Sequence, residues 1–109
     1  TQSARMIGLI RDEIGFGGLL MTDDIGMEAL SGSPGTRAAA SIAAGCDVVL
    51  HCNGTRAEFE ETVAAAGVLT PAAAARAEAA LARRSVPEPV DTAALAADLE
   101  ALSGGEANG

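Results

Sequence analysis

Residues Gly17 to Leu30 read Gly-Gly-Leu-Leu-Met-Thr-Asp-Asp-Ile-Gly-Met-Glu-Ala-Leu. An apolar run stops at two adjacent carboxylates, Asp23 and Asp24. A buried parallel strand delivers an acid to the rim of a sheet in this way, and α/β enzymes keep their reacting groups at that rim. Successive strand residues face opposite sides, so one carboxylate can face a cleft while the other faces the helical layer or caps the following turn. Asp is also a preferred helix N-cap. Alternation alone leaves open which acid reacts, and leaves open that both are caps.

Other groups with chemical potential are few. His51 is the single histidine. It shares a strand face with Val49 and Asn53 near the rim, where a hydrogen-bonded core histidine is the plain reading and a substrate contact the other. Cys46 and Cys52 flank the same apolar stretch. A strand at about 3.3 Å per residue holds them roughly 20 Å apart. A disulfide needs Cα atoms within about 7 Å, so these two do not pair. With one His and no Cys-x-x-Cys, no zinc site is expected. Both cysteines read as small buried hydrophobes, and reduced thiols point to the cytoplasm. Asp47 sits at the opposite, N-terminal end of its strand, where a stabilising role is expected.

The elements that must position these groups follow from pattern. Met6, Ile7, Ile10 and Ile14 have helical spacing, with Ser3 as cap and Gly15 as stop. Leu19 to Thr22 reads as the first strand. Ile25 to Leu30 reads as one short helical turn, and Ser31 to Gly35 as a loop. Thr36 is the expected cap of a helix over Arg37 to Ala44, closed by Gly45. Asp47 to Cys52 reads as the second strand, ended by Asn53-Gly54. Thr55 and Glu58 form a capping box that opens a helix to about Ala66. Thr70-Pro71 is a cap followed by proline at the first helical position, opening a helix to about Arg84. The pair Arg83-Arg84 answers the dipole at its end. Val86-Pro-Glu-Pro89 breaks the chain. Leu95, Leu99 and Leu102 mark a final amphipathic helix, and Ser103 to Gly109 is expected to be disordered.

Two buried strands joined through a helix make a βαβ unit, hence a parallel pair. Two strands do not make a stable sheet, so further strands are expected outside this sequence. The 109 residues are 49% hydrophobic but only 2% aromatic, so the core is built from small aliphatic side chains and is thin. The formal charge of -8 and scattered arginines argue against a nucleic-acid partner. No apolar stretch approaches a membrane span. No signal peptide and no initiating Met is present, and the sequence enters a helical pattern at once, as a fragment does.

Three blocks together carry a resemblance: Arg11-Asp-Glu-Ile-Gly-Phe16, Gly18-Leu-Leu-Met-Thr-Asp-Asp-Ile-Gly-Met27, and Ala44-Gly-Cys-Asp-Val-Val-Leu50 with Cys52-Asn53. Over residues 3 to 66 the sequence resembles glycoside hydrolase family 3, in particular the bacterial β-N-acetylhexosaminidases of cell-wall recycling. The resemblance implies an α/β fold: the C-terminal strand–helix units of a (β/α)8 TIM-type barrel, incomplete in this chain. Residues 1–85 would be its last two strand–helix units, and 86–109 a C-terminal helix and tail.

The resemblance also assigns roles. Asp23 falls on the family's nucleophile, the first Asp of its Ser/Thr-Asp-Asp stretch. The implied reaction is retaining hydrolysis of a terminal β-linked N-acetylglucosamine, in a glycan or muropeptide of peptidoglycan recycling. Asp24 becomes a supporting or turn-stabilising residue. Met27 matches the Asp-Asp-x-x-Met pattern and either lines the sugar pocket or fills core. His51 stands where the family more often has an apolar residue. The family's acid/base resembles a His assisted by an Asp well before the nucleophile, and His51 lies after Asp23. No cofactor, metal, nucleic acid or membrane is implied. Two alternatives remain: a family 3 β-glucosidase, many of which continue into a second α/β sandwich domain, and an inactive partial chain lacking the acid/base.

Overall fold

The computed structural model describes residues 2–104. Its elements are α1 (Ala4–Gly8), a π-helical turn (Leu9–Glu13), β1 (Met21–Asp24), α2 (Pro34–Ala44), β2 (Val48–Leu50), α3 (Arg56–Ala66), α4 (Pro71–Ala82) and α5 (Thr92–Ser103). Among the described residues the sheet is the single parallel pair β1–β2, with α2 as the crossover. The βαβ reading thus holds at this level.

Several boundaries move for physical reasons. Ser3 caps α1 as expected, but the helix widens after Gly8, and the Ile14 amide donates to the Leu9 carbonyl, five residues back. A π turn shifts the phase of the helical face. Ile7 is therefore buried while Ile14 is 68% exposed. α2 starts earlier than expected: Ser33, not Thr36, accepts the cap bond from the Thr36 amide, and Pro34 takes the first helical position. Ile25 to Leu30 forms successive turns and bends rather than a helical turn. β1 begins at Met21, because the backbone before it is held by side chains: Arg11 takes the Gly18 carbonyl and Asp47 the Leu20 amide.

The caps of α3 and α4 fall where the residues place them, at Thr55 with Glu58 and at Thr70 before Pro71. Gly45 closes α2 with φ +112, a conformation that favours glycine. A Cβ there would also stand 2.9 Å from Ile7, so α1 packs directly on this glycine. Arg83 caps the end of α4. Asp91 caps α5, whose Leu95, Leu99 and Leu102 are 55%, 67% and 82% exposed. Ser103 closes α5 with Gly104 as its C-cap, which corrects the expectation of disorder at that point; residues 105–109 lie outside the described residues.

The core is thin, as the composition demands. Ile7, Ile25, Ala38, Cys46 and Ala73 are its buried hydrophobic members, beside buried Thr22, Ser41, Asp47 and Thr62. The radius of gyration is 19.2 Å, against about 13 Å for a compact domain of this length. No helix among the described residues is long and apolar enough to cross a membrane.

Candidate active site

The two carboxylates sit at a fault in the sheet. Met21 pairs with Val48 and Asp24 with Leu50, so β1 spends two residues, Thr22 and Asp23, against the single Val49. This is a bulge, a device that bends a strand and re-aims a side chain beside active sites. The lost ladder bond is replaced locally. The buried Thr22 offers its hydroxyl oxygen to the Leu50 amide at 2.9 Å, and the Ile25 amide then donates to the Leu50 carbonyl at 2.9 Å.

The bulge separates the two acids. Asp23 is exposed, and its Oδ1 accepts the Asp24 amide at 2.8 Å. Among the described residues no hydrogen bond reaches its Oδ2. Asp24 is half-buried, and its Oδ1 accepts the amides of Gly26 at 2.9 Å and Cys52 at 3.1 Å. The Gly26 amide, then the Cys52 amide, hold the Asp24 carboxyl below its usual range, more than offsetting burial, and His51 adds a lesser lowering effect. Asp24 is thus an ionised brace between the end of β1 and the end of β2. Asp23 is a carboxylate presented outward on the same rim.

His51 is turned into the molecule. Its Nδ1 lies 3.2 Å from the Thr62 hydroxyl, and its ring is tilted against Phe59 at 4.8 Å. The Thr62 hydroxyl spends its only proton on the Glu58 carbonyl at 2.8 Å, so Nδ1 must be the donor in this pair. A Cβ on Gly54 would stand 3.0 Å from the imidazole, so glycine there lets the ring seat. His51 therefore packs against the middle of α3, at Phe59 and Thr62. Met27 is 48% exposed in the turn after β1.

The structure brings Asp24, Cys52 and His51 together beside Asp23. Cys52 is exposed, which corrects the expectation that both cysteines are buried: the strand ends at Leu50 and leaves Cys52 on the rim loop. Cys46 is buried, and burial pushes its thiol pKa up. Asp47 lies at the other end of the sheet and is a hub. Its Oδ2 accepts Arg11 at 2.6 Å and the Leu20 amide at 2.8 Å, and its Oδ1 accepts Arg76 at 2.7 Å. A cavity of about 410 Å³ lies between α2, β2, α3 and α4, beside Asp47 and Arg76, and none of the rim residues lines it. The rim acids lie outside this cavity, and they are held by backbone amides. Among the described residues no three His, Cys, Asp or Glu side chains are grouped to hold a metal ion.

Sequence reasoning did not find the role of Thr22, since a bulge depends on the partner strand. It also missed Arg37, whose signal was a cation in the first turn of a helix, where the dipole disfavours it.

A parallel strand that carries an exposed carboxylate, with a second acid braced behind it, is the arrangement in which α/β folds present acids on the sheet rim. Residues 1–84 match the family model described as the glycosyl hydrolase family 3 N terminal domain, and the chain belongs to that family. A beta-hexosaminidase of Vibrio cholerae serotype O1 is 41% identical over 54 residues, covering 48% of this chain and 16% of that protein. A beta-hexosaminidase of Aromatoleum aromaticum is 38% identical over 89 residues, covering 80% of this chain and 24% of that protein. A beta-hexosaminidase of Neisseria gonorrhoeae is 47% identical over 47 residues, covering 41% and 13%. The chain thus spans a quarter or less of these curated relatives, 16% and 24% of the first two named. No solved structure matches significantly.

Proposed function

We propose that this chain is the nucleophile-bearing part of a longer β-N-acetylhexosaminidase that removes terminal β-linked N-acetylglucosamine by a retaining mechanism. Residues 1–85 form the last two strand–helix units of its (β/α)8 barrel, and the substrate is a glycan or muropeptide of cytoplasmic peptidoglycan recycling. The observation that carries this reading is the division of labour at the bulge: Asp24 accepts two backbone amides, while Asp23 is left exposed with one carboxylate oxygen unengaged.

The chemistry follows from that arrangement. Asp23 Oδ2 attacks the anomeric carbon, a C–O bond forms to the enzyme, and the glycosidic bond breaks. The leaving oxygen takes a proton from an acid supplied by another part of the enzyme. Water then attacks the same carbon, gives up a proton to that group, and releases Asp23 as carboxylate. The first step needs a carboxylate oxygen within reach of the sugar, and Asp23 is exposed on the rim. Met27, exposed in the following turn, lines the sugar site in this reading, and its exposure supports that.

In the complete enzyme, Asp23→Ala abolishes turnover of an aryl N-acetylglucosaminide while substrate still binds. Preference for an aryl glucoside over the N-acetylglucosaminide would move the protein to the β-glucosidases.

A further inference from the structure

Arg37 stands in the first turn of α2, where the helix dipole disfavours a cation. Its guanidinium turns instead to the connection that leaves β1. Nη1 donates to the carbonyls of Ile25 at 2.8 Å and Met27 at 3.2 Å, and Nη2 donates to the carbonyl of Leu30 at 2.6 Å. That connection has no regular structure, and its own backbone bonds are long: Met27 to Asp24 and Leu30 to Met27 are both 3.3 Å. One planar side chain therefore binds three of the carbonyls in the six residues that follow the carboxylates.

We propose that Arg37 is a positioning residue for the rim site: by binding three carbonyls of Ile25–Leu30 it fixes the backbone on which Asp23 and Asp24 are oriented. The proposal rests on the reading of Asp23 as nucleophile. The coupling path is short. Ile25 is fully buried and is held on both sides, its amide by Leu50 and its carbonyl by Arg37. The next amide, that of Gly26, holds Asp24, and the Asp24 amide holds Asp23. A lysine cannot replace this fork, because one compact ammonium cannot span carbonyls on three residues with fixed planar geometry. A displacement of about 1 Å at a reacting group can cost on the order of 100-fold in rate, so a loosened connection acts on the chemical step.

The test uses the complete enzyme with Arg37→Lys, Arg37→Ala, Asp23→Ala and the surface control Arg56→Ala. Arg37→Lys is expected to lower kcat about tenfold or more with KM changed less than about threefold, since the interaction serves the transition state rather than binding. Amide hydrogen exchange is expected to rise across Gly26 to Leu30, with α2 as protected as in the wild type. Arg56→Ala is expected to leave both unchanged. If Arg37→Ala does not fold, the Lys variant and its exchange pattern still decide. A Lys variant with wild-type kcat, or one whose exchange rises across α2 and not the connection, would overturn the proposal. Substantial turnover by Asp23→Ala would instead overturn the reading on which it rests.

Discussion

The Thr22 hydroxyl accepts the Leu50 amide at 2.9 Å, in the place where an unbulged ladder would offer a backbone carbonyl. This side chain lets β1 carry one extra residue without leaving the part-buried Leu50 amide unpaired, and the extra residue is what separates Asp23 from Asp24. The polar cost of the bulge is met inside the sheet, so the acid on the rim is free of it.

Thr22→Val keeps the shape and removes the acceptor. The Leu50 amide then loses its partner in a part-buried place, which costs about 1 kcal/mol. The thermal midpoint and kcat of the complete enzyme should both fall, and Thr22→Ser, which keeps the hydroxyl, should restore most of each.

Asp24 works through one oxygen that accepts two amides. An amide oxygen can accept the same two bonds, so Asp24→Asn should keep a large part of kcat while Asp24→Ala loses more. Both should retain more turnover than Asp23→Ala. The reverse order in steady-state assays would exchange the roles of the two acids.

Asp47 gives a signature in acid. Burial alone would raise its pKa, but the Leu20 amide, Arg76 and Arg11 more than offset that, so it lies below its ordinary value of 3.8. A group with a lowered folded pKa stabilises fully above the ordinary value and loses that contribution as pH falls through the folded value. Urea unfolding midpoints of the complete enzyme should therefore drop as pH falls below about 4. Asp47→Asn should flatten that drop and cost on the order of 3 kcal/mol near neutrality, because two arginines lose their buried partner.

The 109-residue chain by itself should not hydrolyse aryl N-acetylglucosaminides. Its single histidine is engaged with Thr62, and its parallel pair has open edges. It should also show no cooperative thermal unfolding as a monomer. Asp23-dependent turnover by the purified chain would contradict the first point, and a sharp monomeric transition the second.

What was legible in the sequence was local. Thr55 with Glu58, and Thr70 before Pro71, cap helices through bonds that span three residues, so they can be read directly. The parallel pair followed from its crossover helix. What was not legible depended on partners distant in sequence. β1 starts at Met21 rather than Leu19, because Asp47 and Arg11 hold the backbone before it. The phase of α1 is lost in a π turn that Ile7, Ile10 and Ile14 do not announce. Ser33 outcompetes Thr36 as cap, with the carboxylate of Glu61 on α3 accepting from its hydroxyl. At the site, adjacency marked Asp23 and Asp24 as a pair, but their separate tasks come from the bulge and from Gly26 and Cys52, which the spacing of two acids cannot show.

The central claim is that Asp23 forms the covalent bond to sugar. The most direct measurement is to trap that bond in the complete enzyme with a fluorinated N-acetylglucosaminyl fluoride, chosen so that the glycosyl-enzyme forms faster than it is hydrolysed, and to locate the label by peptide mass spectrometry. The account predicts one sugar on the peptide containing Thr22-Asp23-Asp24, with fragment ions placing it on Asp23. A label on Asp24 or on another peptide would contradict it.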